Sequence, residues 1–143
     1  MKIELSKPFF VETLCIVGIG LIGGSLARAL KSANAVGKVI AYDANEEALS
    51  KAKELGVADE IYTDLAEAAA LADIIVLATP ITAMAEVMAT IMPVVKPTAV
   101  ITDVGSTKGS VVRDIEARLG ELPGRFVPAH PIAGTEKHGV ENS

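Results

Sequence analysis

Short apolar runs recur along the chain, and all but the last are followed by a helix-like stretch. Leu14 to Val17 reads as a first strand, and a helix follows to about Ala33. Asn34 to Gly37 make a turn into a second strand, Val39 to Tyr42, closed by Asp43. Asn45 is placed to cap a second helix whose first turn carries Glu46 and Glu47, where the helix dipole favours acids. That helix runs to Leu55 and stops at Gly56, as a C-terminal glycine allows. Glu60-Ile61-Tyr62 is a short third strand, and Asp64 caps an alanine-rich helix through Leu71. Ile74 to Ala78 is apolar without alternation, the mark of a strand covered on both faces. A helix from about Thr82 to Met92, a strand over Ala99 to Thr102, a helix from Lys108 to Leu119 and a sixth strand over Arg125 to Val127 complete the pattern. Met1 to Glu12 is less regular; Ile3 and Leu5 alternate with charge, and Pro8 limits any edge strand there.

Strands and helices alternate with connections too short for anything but βαβ crossovers. The pattern predicts an α/β fold: a doubly wound, Rossmann-like parallel sheet of about six or seven strands in a three-layer αβα arrangement. At 143 residues the chain is long enough for one domain with its own core. Half the residues are apolar but only 3% are aromatic, so Val, Ile, Leu and Ala must fill that core. Met84, Met88 and Met92 recur at helical spacing and form one packing face. Cys15, the single cysteine, falls in the first strand as a small buried hydrophobe. The net charge of −5 and the lack of a basic run make nucleic acid and anionic membranes poor partners. The apolar stretch Leu14 to Leu26 invites comparison with an export signal, Ala33-Asn34-Ala35 standing where a cleavage site would. Glu4 and Glu12 precede it, Arg28 and Lys31 separate it from that site, and the three motif glycines lie within it. It reads instead as strand, turn and helix, and a cytoplasmic protein is expected.

Between the first strand and the first helix lies Gly18-Ile19-Gly20-Leu21-Ile22-Gly23-Gly24. Glycine-x-glycine-x-x-glycine in this setting fits a dinucleotide site. Gly18 would permit a tight turn, Gly20 would let backbone approach a pyrophosphate, and Gly23 would let helix and strand pack closely. The N–H groups that open the helix then receive the phosphates. Asp43 stands 20 positions beyond Gly23, after the second strand. A carboxylate there accepts hydrogen bonds from the adenosine ribose and repels a 2′-phosphate, which favours NAD over NADP.

An open parallel sheet binds ligands beyond the carboxyl ends of its strands. The polar and special residues of this chain gather at those ends. Gly18, Gly20, Leu21, Ile22 and Gly23 follow the first strand, Asp43 the second, Thr79 and Pro80 the fourth. Asp103-Val104-Gly105-Ser106-Thr107-Lys108 follow the fifth, and His130-Pro131 the sixth. Gly105 joins the others as a candidate cofactor contact. His130 is the candidate for proton chemistry: imidazole accepts a proton near neutral pH, as removal of an alcohol hydrogen requires. A histidine there can also cap a loop, but its place on the nicotinamide side of the cleft favours the chemical role. Ser106 either hydrogen-bonds His130, substrate or nicotinamide, or caps the following helix. Lys108 is expected to be solvated, His138 has no assigned role, and no His/Cys/Asp/Glu set has metal-ligand spacing.

Three motifs together resemble one family. Gly18 to Leu26, Asp103-Val104-Gly105-Ser106-Thr107-Lys108-Gly109, and His130-Pro131-Ile132-Ala133-Gly134-Thr135-Glu136 are similar to those of the prephenate/arogenate dehydrogenases of tyrosine biosynthesis. The third motif is the most specific, and the resemblance covers nearly the whole chain from Thr13. It implies oxidative decarboxylation of prephenate or arogenate with reduction of NAD(P). It also implies that His130 draws off the ring-hydroxyl proton, Ser106 orients that pair, and Thr135 and Glu136 lie on the substrate side. Family members continue into a helical C-terminal domain that supplies a homodimer interface and much of the substrate pocket. Residues 1–143 are therefore expected to be a dinucleotide-binding domain with little or no turnover alone. Three other readings stay open on the residues: a β-hydroxyacid-type dehydrogenase, a non-catalytic NAD-sensing module, and an S-adenosylmethionine-dependent methyltransferase.

Overall fold

The structure is a computed structural model and describes residues 10–104, 108–121, 123–124 and 126–127. Its strands are β1 (Val11–Val17), β2 (Val36–Tyr42), β3 (Glu60–Tyr62), β4 (Ile74–Leu77), β5 (Val100–Asp103) and β6 (Phe126–Val127). Its helices are α1 (Leu21–Ser32), α2 (Glu46–Glu54), α3 (Leu65–Leu71), α4 (Ile81–Ile91) and α5 (Lys108–Leu119). All neighbouring strands pair in parallel, in the order β3-β2-β1-β4-β5-β6. The order reverses between β1 and β4, and that switch point is where a doubly wound sheet opens a ligand crevice.

Two apolar cores lie on opposite faces of the sheet. On one face Ile16, Val39, Ala41 and Val76 pack with Ala27 of α1 and with Leu49 and Ala52 of α2. On the other, Cys15, Ile40, Ile75, Leu77 and Ile101 pack with Ala68 and Ala69 of α3, Met84, Met88 and Ile91 of α4, and Val111 and Ile115 of α5. Met84 and Met88 are buried and Met92 packs partly against the same core, so the methionine stripe is a packing face. Cys15 is fully buried among these side chains, and burial pushes its thiol pKa up to about 12. Among the described residues no helix is long and apolar enough to cross a membrane.

Local chemistry explains most boundaries. The Asn45 Oδ1 accepts from the N–H groups of Glu47 and Ala48, and the Asp64 Oδ1 from that of Glu67, so both expected caps form. Gly56 ends α2 with a φ of +74°, a conformation glycine adopts freely. Of the boundaries that differ from the hydropathy reading, two have a clear cause in strand pairing. β1 begins at Val11, three residues early, because its polar entrance pairs with the entrance of β2, Val11 opposite Val36 and Thr13 opposite Lys38. Gly37 belongs to β2 rather than to the preceding turn; a side chain there would stand 2.8 Å from the Glu12 carbonyl, so glycine lets the two strands approach.

Aspartates tie the amino ends of the strands together. The Asp73 Oδ2 accepts from the Thr13 N–H at 3.1 Å, and the Asp59 Oδ2 from the Val39 N–H at 2.8 Å. Their second oxygens meet Lys96 and Lys31 respectively. The possible strand around Ile3 and Leu5 lies outside the described residues, as does Arg125.

Candidate functional site

The glycine loop connects β1 to α1 at the switch point. Its three motif glycines have three different surroundings. Gly18 has a φ of +92°, and a Cβ there would lie 2.9 Å from the Ala78 carbonyl carbon and oxygen at the end of β4. Gly23 lies in the first turn of α1, where a Cβ would come within 2.7 Å of the Gly18 oxygen and 2.8 Å of the Ile16 side chain. Gly20 faces open space, with nothing within 4 Å of a Cβ. The first glycine thus turns the chain against β4, and the third lets α1 close onto β1. The second leaves its surface free.

Gly20 is also the residue that starts α1. Its carbonyl accepts the Gly24 N–H at 2.8 Å, and no side chain caps the helix. The N–H groups of Leu21, Ile22 and Gly23 precede that first helical bond, as the opening donors of any α-helix do. They are what a helix start presents to an anion, with the positive end of the helix dipole behind them. Leu21 and Ile22 themselves are exposed.

Beside the loop is a cleft of about 390 Å³, walled by Gly18, Gly20, Tyr42, Asp43, Thr79 and Pro80, with Leu65, Ala83 and Val87 of α3 and α4 behind them. One carboxylate enters it. Asp43 directly follows β2, half-buried, and its Oδ2 accepts from the Ile19 N–H at 3.0 Å within the glycine loop. Its Oδ1 accepts from the Asn45 N–H at 2.8 Å. On the wall from β4, the Thr79 Oγ1 is buried and has no hydrogen-bond partner among the described residues. A hydroxyl in that condition costs free energy unless something pairs with it. A cleft that is mainly apolar, carries one acid, has Thr79 in its wall, and is flanked by a helix start suits an elongated molecule. Such a molecule would combine a flat apolar group, a diol and an anion.

The structure brings together Gly18, Gly20, Asp43, Thr79 and Pro80 around this cleft, with Leu21, Ile22 and Gly23 at the helix start beside it. Gly105, Ser106, His130, Thr135 and Glu136 lie outside the described residues. Asp103 is the last residue of β5 rather than the first of a loop. It is fully buried, the one buried charged side chain among the described residues. Sequence reasoning missed Leu65, Ala83 and Val87 as cleft walls: apolar helical positions read as core until the packing is seen. It missed also that Asp43 holds the glycine loop, which no spacing reports.

The family model described as "Prephenate dehydrogenase, nucleotide-binding domain" matches residues 26–143. The chain belongs to that family. The match includes Asp43, Thr79, Ser106 and His130. The cyclohexadienyl dehydrogenase of Zymomonas mobilis is 38% identical over 129 residues, 90% of this chain and 43% of that protein. The crystal structure of prephenate dehydrogenase from Aquifex aeolicus with hydroxyphenyl propionate and NAD+ superposes with a TM-score of 0.80 at 40% identity, covering 94% of this chain and 46% of that one. A Synechocystis arogenate dehydrogenase structure gives a TM-score of 0.74 at 31% identity, covering 92% and 45%. The chain thus spans less than half the length of these relatives. Family membership decides against the β-hydroxyacid and methyltransferase readings.

Proposed function

We propose that the cleft at the switch point holds a nicotinamide dinucleotide, NAD in preference to NADP. In this reading the chain supplies the cofactor-binding part of an enzyme that oxidatively decarboxylates prephenate or arogenate in tyrosine biosynthesis. The observation that carries it is the division of labour in the glycine loop, with Asp43 beside it. Gly18 and Gly23 are glycine because backbone lies against them, whereas Gly20 is open toward the ligand side.

The residues fit the cofactor part by part. The opening N–H groups of α1 receive the pyrophosphate at Gly20, where a side chain would intrude. Asp43 accepts the adenosine ribose hydroxyls with the acceptor positions its two backbone bonds leave open, and its charge opposes a 2′-phosphate. Leu65, Ala83 and Val87 give the adenine an apolar wall. Thr79 walls the same cleft, and a rotation of its side chain would bring its buried, unpaired hydroxyl to the ligand. Bound there, the nicotinamide would supply a hydride acceptor for the substrate ring, whose carboxylate would leave as CO2 on aromatisation. His130 takes the proton of the ring hydroxyl, Ser106 holds the imidazole and that hydroxyl in line, and Thr135 and Glu136 stand toward the substrate. These four roles are those that the resemblance of the motifs implies, and all four residues lie within the family match.

Calorimetric titration of the 143-residue chain with NAD, NADP and S-adenosylmethionine tests the reading. NAD binding with weaker NADP binding is the expected result. A folded chain that binds neither dinucleotide, or that prefers S-adenosylmethionine, would overturn it. Turnover of prephenate against arogenate, with His130→Ala as the control, then separates the two substrates.

A further inference from the structure

We propose that Asp43 is a positioning residue for the glycine loop as well as the acceptor for the ribose. The cofactor preference and the loop conformation therefore depend on one carboxylate. This rests on the dinucleotide reading of the cleft.

Two successive residues at the end of β2 hold two successive residues of the loop. The Tyr42 carbonyl accepts the Gly18 N–H at 2.8 Å, and the Asp43 Oδ2 accepts the Ile19 N–H at 3.0 Å. Ile19 stands between the first two motif glycines and is buried, 8% exposed, in the core under α1 and α2. Its N–H thus fixes the middle of the turn that ends at the open Gly20. The other oxygen of Asp43 accepts the Asn45 N–H, and Asn45 in turn caps α2 through Glu47 and Ala48. The carboxylate joins the glycine loop to the start of α2 as a bridge, and both its bonds are charge-assisted. A carboxylate has about four acceptor positions, so two remain for a ribose diol after the backbone has taken two. An asparagine side chain has one oxygen, so it can serve one of the two N–H groups while its NH2 faces the other. Alanine can serve neither. Removal of the acid, the obvious way to admit a 2′-phosphate, therefore releases the loop that must bind the pyrophosphate.

The test uses Asp43→Asn and Asp43→Ala in the 143-residue chain. The ligands are NAD, NADP and an NAD analogue whose adenosine ribose lacks both hydroxyls. If the carboxylate served only the ribose, all three proteins would bind the analogue equally. The proposal expects Asp43→Ala to bind the analogue about tenfold or more weakly than the unaltered chain does, the scale of a lost charged hydrogen bond. Asp43→Asn should fall between them, and neither variant should gain affinity for NADP. Amide hydrogen exchange supplies a readout without ligand: the Ile19 amide should lose protection in Asp43→Ala and keep part of it in Asp43→Asn, while amides of β4 stay as they were. Equal analogue affinity in all three, tighter NADP binding by Asp43→Ala, or unchanged Ile19 protection would overturn the proposal. Should the unaltered chain bind no dinucleotide at all, the cofactor reading falls, and the exchange of Ile19 alone decides whether Asp43 anchors the loop.

Discussion

A side chain at Gly18 would sit 2.9 Å from the carbonyl of Ala78, so the glycine loop rests directly on the end of β4. The first half of the sheet meets the second at this contact, and the cleft lies on the same seam. Gly18 therefore supports the fold, while Gly20, two residues on, has no such contact.

That difference separates two substitutions that look alike in the sequence. Gly18→Ala must hold a positive φ and push on the β4 backbone, which together cost about 2–5 kcal/mol. Gly20→Ala meets nothing, so its stability cost stays below about 1 kcal/mol. Thermal melts should show the first variant clearly destabilised and the second close to the unaltered chain. Titration with NAD should show Gly20→Ala impaired in binding although it is folded. Equal melting losses for the two would contradict the geometry.

Thr79 leads to a different kind of outcome. Its buried Oγ1 has no partner among the described residues, so the isosteric change Thr79→Val removes an unmet hydrogen-bonding group without opening a cavity. The melting temperature of the free protein should hold or rise. Affinity for NAD should fall about threefold to tenfold, the scale of one modest hydrogen bond. Unchanged affinity would mean that the hydroxyl does not meet the ligand.

The glycine loop and the alternating fold were legible because they are written in local chemistry. Gly18, Gly20 and Gly23 fall between a strand and a helix with Asp43 after the next strand, and Asn45, Asp64 and Gly56 cap helices through bonds to residues at most three positions away. What stayed hidden depends on distant pairings. The early start of β1 reflects its register with β2, and Gly37 is a strand residue only because Glu12 lies beside it. The bridge from Asp43 to Ile19 spans 24 positions, and the apolar cleft wall combines residues of α3 and α4 with the ends of two strands. Nothing in hydropathy distinguishes Val87, which lines a cleft, from Met88, which fills the core.

Cys15 should be chemically silent in the native protein. It is fully buried in the central strand, and desolvation pushes its pKa up to about 12, so almost no thiolate exists at about pH 8. A disulfide reagent should label no thiol in the folded chain and one per chain after denaturation. The labelling rate without denaturant then reports transient opening of the sheet. Rapid native labelling at that pH would show that β1 is not enclosed as described.

The acid limb of the stability curve should carry a contribution from Asp59. Burial opposes its charge, but hydrogen bonds from Lys31 and from the Val39 N–H, with the charges of Lys31 and Lys53, outweigh that and hold its pKa below the ordinary carboxylate range. A group whose pKa is lower in the folded state stabilises the fold above its unfolded value, about 4. That stabilisation is lost as pH falls through the folded value. Asp59 is exposed and its pair with Lys31 meets solvent, so salt screens the charge component. Asp59→Asn should lower the melting temperature at pH 7 and bring the two melting curves together toward pH 2. Added salt should narrow the gap at pH 7 without closing it, because the bond to Val39 that ties β3 to β2 does not depend on a distant charge. A gap that is the same at pH 7 and pH 2 would assign the loss to packing rather than to the carboxylate.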